Sequence, residues 1–184
     1  MNSFPAPELL ADVDETAEFC SGEASLDDWL NRRARANQVR GASRTYVLRS
    51  DIRAAGYYAL ASGVVTTESA SGRFRRNMPN PILVAILARL AVDREWQGRG
   101  IGRVLFRDAA QRVAHAADVI GIRGIVVHAI SEEARRWHAS SPTLRRSPFF
   151  NVDHPRSRAS ITTWPVSARP RPRGRLLSSK ISTG

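Results

Sequence analysis

The six residues Gln97-Gly98-Arg99-Gly100-Ile101-Gly102 carry the clearest chemistry in the sequence. Glycines at alternate positions let the backbone come close to a ligand. The first N–H groups of a helix have no intrahelical acceptor, so a glycine-rich turn that opens a helix makes a cradle for phosphate. A phosphate-loop NTPase would need Gly-Lys-Ser/Thr here, and the chain has none. A dinucleotide-binding turn would need Gly-x-Gly-x-x-Gly, with an acidic residue at the end of the next strand. The spacing found is Gly-x-Gly-x-Gly, and the next strand runs out in Ala129-Ile130. A phosphate-binding turn and a plain tight turn with a glycine-capped helix both fit these six residues. Other reactive side chains are sparse. Cys20 has no adjoining histidine or basic cluster and reads as buried packing, not a nucleophile. His128 lies in an apolar strand and reads as a core histidine, and His115 reads as a helix-face residue.

The elements that must position this turn follow from periodicity. The apolar, β-branched run Ile82 to Val92 predicts a buried central strand leading into the turn. Behind the turn, Ile101, Val104, Leu105, Ala109 and Val113 recur at helical spacing. Ile122 to Ile130 predicts a further strand, and Ser131 is placed to cap a short helix from Glu132 to about His138. Upstream, Ser25 is the expected N-cap of a helix through Leu26, Trp29, Leu30 and Ala34, with Asp27 and Asp28 in its first turn. Thr45 to Leu48 predicts a strand. Arg53 to Gly56 predicts a turn, and Gly56 to Val65 a hairpin partner. The order helix, strand, strand, strand, helix, strand, helix describes an α/β domain.

Composition bounds the function classes. With 184 residues and 42% apolar content, one packed domain is expected. The longest apolar run, Ile82 to Ala88, is far short of the roughly 20 residues of a membrane span. The start, Met1-Asn2-Ser3-Phe4-Pro5, has neither the basic nor the apolar region of a secretory signal, so a cytoplasmic protein without membrane attachment is expected. One cysteine excludes an internal disulfide and a multi-cysteine metal site, and no metal is expected. The net charge of +11 is uneven: residues 1–138 carry +3 and residues 139–184 carry +8. Six of the ten prolines also fall after residue 138, with many Ser and Arg residues, so this tail is expected to be disordered.

Beyond the turn, several spaced motifs carry a family resemblance. They are Cys20-Ser21-Gly22-Glu23, Leu26-Asp27-Asp28-Trp29-Leu30, Gly41-Ala42-Ser43-Arg44-Thr45, Gly56-Tyr57-Tyr58-Ala59-Leu60, Arg75-Arg76-Asn77-Met78-Pro79, Leu87-Ala88-Arg89-Leu90-Ala91-Val92-Asp93, Trp96-Gln97-Gly98 and Val127-His128-Ala129. In this order they resemble the GNAT superfamily of acyl-CoA N-acyltransferases, in the branch of toxins that acetylate aminoacyl-tRNA. The glycine turn matches that superfamily's pyrophosphate loop, Gln/Arg-x-x-Gly-x-Gly/Ala.

The resemblance implies a GNAT domain over residues 1–138, with a mixed central sheet and flanking helices. It implies acetyl-CoA lying between two splayed strands. The backbone of Leu90 and Val92 would pair with the pantetheine arm; Gln97, Gly98, Arg99, Gly100, Ile101 and Gly102 would hold the pyrophosphate, and Ser131 and Arg136 would lie near the far side of the cofactor. The acceptor would be the α-amine of aminoacyl-tRNA, with Arg75, Arg76 and Arg89 near tRNA and its phosphates. A ribbon-helix-helix antitoxin and a homodimer are the implied partners. Two other functions stay open: an acetyltransferase for a protein N-terminus or small amine, and an impaired domain that still binds acetyl-CoA or antitoxin.

The match stops near residue 138. The family's last helix carries Phe-Tyr-x-x-x-Gly-Phe, whose tyrosine is the general acid. Here Trp137 and His138 occupy the Phe and Tyr positions, and no Gly-Phe follows. His138 is therefore the candidate catalytic residue. The final strand or strands are expected to be missing or replaced, with Ile161-Thr162-Thr163-Trp164 the available replacement. A deletion or frameshift near codon 138 would produce this tail, and a Gly-Phe-plus-strand continuation in another frame of the gene would be its mark.

Overall fold

The computed structural model describes residues 4–68 and 79–128, and the backbone of the strand at 161–165. Arg75, Arg76, Ser131, Arg136 and His138 lie outside the described residues, as does the helix expected after Ser131.

Six strands form one mixed sheet in the order of the chain: β1 (Glu8–Leu9), β2 (Arg44–Ser50), β3 (Arg53–Val65), β4 (Ile82–Val92), β5 (Gly124–His128) and β6 (Ile161–Pro165). Neighbours are antiparallel except β4 and β5, which run parallel. A parallel pair needs a crossover, and the helix α3 (Ile101–Ile120) supplies it. The expected replacement strand is in place, with Ile125 opposite Trp164. The tail thus returns to cover the outer edge of β5, an edge that would otherwise present unpaired N–H and C=O groups.

The two faces of the sheet are buried by different helices. α3 lays Ile101, Leu105, Phe106, Ala109 and Val113 against Leu48, Tyr58, Ala85, Leu87, Ile125 and Val127. The other face packs Val47, Ala54, Tyr57 and Ala91 under α1 (Ala24–Arg32), through Leu26 and Leu30, and under Ala34 of α2 (Ala34–Val39). Gly56 permits the close approach of α3. A Cβ there would stand 3.0 Å from Leu105 Cδ1 and 3.2 Å from both Ile101 Cγ2 and the Ala91 carbonyl oxygen.

Three local expectations are corrected. The turn between β2 and β3 is not Arg53 to Gly56; β3 already begins at Arg53, and Asp51 takes the left-handed conformation at φ 55°. Ala54 and Ala55 are buried strand residues whose smallness reads as a turn signal. The N-cap of α1 is Glu23, not Ser25, and its side chain makes no cap hydrogen bond; Ser25 Oγ instead donates to Glu23 Oε1 at 3.0 Å. The single expected helix is interrupted at Arg33, giving α1 and α2.

Candidate active site

The site is built around β4, which changes character at Ala88. From Ala85 to Leu87 it pairs with both β3 and β5. The register then slips: Leu60 faces Leu87 but Ala59 faces Arg89, so Ala88 is an extra residue in a β-bulge. One inserted residue reverses the alternation of side chains beyond it. Leu87 faces α3, and without the bulge Arg89 and Ala91 would do so too. Instead Leu90 and Val92 pack on the α3 side, while Ala91 joins the α1 side and the Arg89 guanidinium lies 5.7 Å from the Trp29 ring.

Among the described residues β4 pairs with β5 only from Ala85 to Leu87, so beyond the bulge its outer edge carries no described ladder. Backbone parity decides what this edge presents. Asp93 N–H donates to the Ala55 carbonyl at 3.0 Å, so Val92 and its partner Gly56 form a pair that does not exchange hydrogen bonds. The N–H and C=O of Val92 therefore turn away from β3 toward this edge, and those of Leu90, two residues back, do the same. An extended ligand can add itself there as a strand does.

The strand delivers the chain into the glycine turn through a short 3₁₀ segment, Arg94–Trp96, capped by Asp93, whose carboxylate accepts from Glu95 N–H at 2.9 Å. Gly98 and Gly100 have φ of 75° and 84°, the left-handed region where side chains are strained. Nothing lies within 4 Å of where their Cβ atoms would be, so their backbones are open to a ligand. Gly100 caps α3, and the N–H groups of Ile101 and Gly102 are left without intrahelical acceptors. Leu90, Val92, Gln97, Gly98, Gly100, Ile101 and Gly102 all line one cavity of about 490 Å³, joined by Trp96 and Arg103. The residues thus fit a ligand with an extended arm and a pyrophosphate. Arg99 stacks its guanidinium 4.8 Å over the Trp96 ring, at the exposed surface of the turn.

Gln97 is used differently from its neighbours. Its carboxamide nitrogen donates to the Val92 carbonyl at 3.0 Å and the Ser21 carbonyl at 2.9 Å. The side chain holds the turn in place, which its position in the motif does not reveal.

On the opposite side of the sheet, Trp29 stacks parallel on Tyr57 at 5.9 Å, and Phe19 meets the same ring edge-on at 5.4 Å. Tyr57 is fully buried, and its hydroxyl donates to the Leu26 carbonyl at 2.8 Å. Burial pushes its pKa well above the usual tyrosine range, against a smaller lowering by the Arg89 charge. Arg89 Nη1 donates to the carbonyl of the bulged Ala88 at 2.6 Å, and no carboxylate among the described residues forms an ion pair with it. A half-buried guanidinium with no counter-charge suits an anionic partner. Tyr58, on the α3 side, donates to Asp108, which also accepts from Arg112 Nε at 2.8 Å. Burial and then the Asp108 carboxylate raise its pKa, so both tyrosines stay neutral.

Cys20 is exposed, contrary to expectation, because the backbone rather than the side chain ties this loop down. His115 is exposed on α3 as expected, and His128 closes β5. Among the described residues, no helix is long and apolar enough to cross a membrane.

Comparisons with known proteins agree with this geometry. The model of the Acetyltransferase (GNAT) family matches residues 10–140. A tRNA-acetylating toxin of Mycobacterium tuberculosis is 53% identical over 138 residues, spanning 75% of this chain and 83% of the relative. Among solved structures, AtaT complexed with acetyl-methionyl-tRNAfMet superposes with a TM-score of 0.75 at 24% identity, over 87% of this chain and 94% of that one. An AtaT variant bound to acetyl-CoA and the C-terminus of its antitoxin AtaR gives a TM-score of 0.69 at 25% identity, over 88% and 92%. The fold is therefore that of a known architecture, and the chain is a member of the GNAT acetyltransferase family, an N-acetyltransferase that uses acetyl-CoA.

Proposed function

We propose that this chain is a toxin-like enzyme that acetylates the α-amine of aminoacyl-tRNA and so blocks translation. The observation that carries the acceptor is the 53% identity to a tRNA-acetylating toxin across 83% of that protein. An acylated amine cannot attack the peptidyl ester, so each modified tRNA is lost to elongation.

The chemistry asks little of the protein beyond positioning. An α-amine has a pKa of about 7.7–8.0, so a usable fraction is neutral at cellular pH. Acetyl-CoA supplies an activated acyl group as its thioester. The outward N–H and C=O of Leu90 and the N–H of Val92 align the pantetheine arm, and the N–H groups of Gly98 to Gly102 hold the pyrophosphate. This fixes the donor against the acceptor and removes the entropic cost of their meeting. Ser131 and Arg136 complete the far side of the cofactor site. His138, at the position of the family tyrosine, donates the proton taken up by the departing sulfur when its imidazole is charged. Arg75, Arg76 and Arg89 meet tRNA phosphates.

The partners follow the same reading: a ribbon-helix-helix antitoxin that covers the active site and binds operator DNA, and a second copy of the chain as homodimer. The enzyme works in the cytoplasm, where charged tRNA and acetyl-CoA occur together. Residues 1–138 form the acetyltransferase domain, and residues 139–184 a basic tail that contributes β6.

Purified protein incubated with acetyl-CoA and charged tRNA is expected to yield acetyl-aminoacyl-tRNA, read by mass spectrometry of the released amino acid. Acetylation of peptides or free amines alone would overturn the acceptor assignment. Acetyl-CoA binding without transfer to any amine would identify an impaired domain and remove His138 as a working acid.

A further inference from the structure

The glycine turn is not held by its own strand and helix alone. The loop Cys20-Ser21-Gly22, just before α1, is fastened at four points to the turn and to the Asp93-Arg94 segment that leads into it. Cys20 N–H donates to Asp93 Oδ2 at 2.9 Å, and Arg94 N–H donates back to the Cys20 carbonyl at 2.8 Å. Gln97 Nε2 donates to the Ser21 carbonyl at 2.9 Å. Gly22 has φ 95°, and a Cβ there would stand 2.8 Å from Arg94 Nε, so the arginine packs flat over a residue that must be glycine.

The same loop is fastened to α1. Asp27 Oδ1 accepts from both Ser21 N–H at 2.9 Å and Ser21 Oγ at 2.6 Å. Asp27 stands in the first turn of α1, where a carboxylate ordinarily favours the helix dipole, and its side chain reaches back to the loop. Two residues further along α1, Trp29 stacks on Tyr57 and carries Arg89. A continuous polar chain therefore runs from the helix on the Arg89 side of the sheet to the turn that takes the pyrophosphate: Asp27, Ser21, Gln97, turn.

We infer that Ser21 is a positioning residue for the donor site, a clip through which Asp27 of α1 fixes Gln97 and, with it, the anion-binding backbone of Gly98 to Gly102. It touches no ligand. It acts by holding Gln97 so that the turn's N–H groups converge before acetyl-CoA arrives, which spares the cost of ordering them on binding. Because the chain ends in α1, donor affinity and the order of that helix are linked, and by reciprocity a ligand that orders α1 tightens acetyl-CoA.

The inference rests on acetyl-CoA use and not on the identity of the acceptor, so its test uses acetyl-CoA alone. The variants Ser21→Ala, Gln97→Met and their double are made in the full chain. Acetyl-CoA affinity is measured by calorimetry, and amide exchange of residues 97–102 by mass spectrometry. Gln97→Met, which breaks the bond to the Ser21 carbonyl, is expected to weaken acetyl-CoA about five- to tenfold and to speed exchange in the turn, and Ser21→Ala, which loses the Oγ bond to Asp27 but keeps both backbone bonds, about two- to threefold, while β3 and the paired part of β4 stay protected. The double variant should be no weaker than the worse single, since both break one chain. Additive losses in the double, or a loss under twofold in Gln97→Met, would overturn the clip. Ser21→Ala keeps its backbone N–H bond to Asp27, so it remains informative if Gln97→Met destabilises the fold. Asp27→Asn retains the acceptor oxygen and should restore most of the affinity that Asp27→Leu loses. Equal losses in those two would also overturn the inference.

Discussion

The two halves of β4 belong to one strand and have opposite duties. Ile82 to Leu87 is paired with β3 throughout and with β5 over Ala85 to Leu87, and Ile82, Val84, Ala85 and Leu87 are buried, so this half serves stability. Beyond the bulged Ala88, Arg89 to Val92 pairs with β3 and, among the described residues, with no other strand, and Leu90 to Val92 line the cofactor cavity. The first half spends its backbone on neighbouring strands. The second keeps its backbone for a ligand and is supported from behind by α1, α3 and the loop around Ser21. A site of this type needs a strand edge inside a sheet, and among the described residues β4 offers one where its ladder to β5 ends at Leu87.

Substitutions in the two halves should have opposite signatures. The largest effect belongs to the paired half. Leu87→Ala removes a side chain that is 2% exposed and should cost about 2–5 kcal/mol of stability in chemical denaturation. Below its unfolding temperature, acetyl-CoA affinity should be near that of the parent. The β3 residues opposite the free half give a pH test. Unfolded tyrosines lose their protons near pH 10, whereas burial holds Tyr57 and Tyr58 neutral to higher pH. Above pH 10 the unfolded chain therefore binds fewer protons, and stability falls with pH by about 1.4 kcal/mol per unit for each tyrosine. Denaturation across that range should show this slope, and Tyr58→Phe should halve it.

In the free half, Val92→Pro deletes an N–H that no strand uses. Acetyl-CoA affinity should fall about tenfold, as expected for one lost hydrogen bond in a dry cleft, with a stability loss no greater than that of Val92→Ala, which removes the same packing on the α3 side. A stability loss well beyond that of Val92→Ala would show that this N–H serves the fold. The smallest effect is expected from Arg89→Gln. It should leave acetyl-CoA binding unchanged and lower the salt dependence of tRNA binding by about one phosphate contact, a slope change near 0.7–0.9.

Much of this was readable in the residues. Ile82 to Val92 announces its own limits as a strand, because a β-branched run ends at Asp93 and a glycine turn follows. The stripe Ile101, Leu105, Ala109, Val113 likewise declares α3 and its buried face. The turn's glycines pointed to a phosphate cradle, and two of the three adopt the left-handed backbone that motivates them. What escaped the sequence is geometric. Ala88 looks like any small residue in Ile-Leu-Val-Ala-Ile-Leu-Ala-Arg-Leu-Ala-Val, so the bulge and the turning of Arg89 toward Trp29 leave no trace. Gln97 sits in a ligand-binding motif, yet its side chain serves Ser21, 76 residues earlier, a contact that only folding creates. Ala54 and Ala55 read as a turn because smallness is ambiguous until a helix is seen packing on them.

The bulge at Ala88 also sets how this enzyme can be lost. A deletion of that one codon would leave composition, hydropathy and reading frame intact, and the strand could still form. Its outer half would then be in the wrong phase, with Arg89 driven toward the α3 core and Leu90 and Val92 turned toward Trp29. The lineage would keep a protein of nearly the same amino-acid content and lose the enzyme in one step. The acetyl-transfer site is thus encoded partly as a count, with one more residue on β4 than on its partner, and inheritance must preserve that count as faithfully as any side chain.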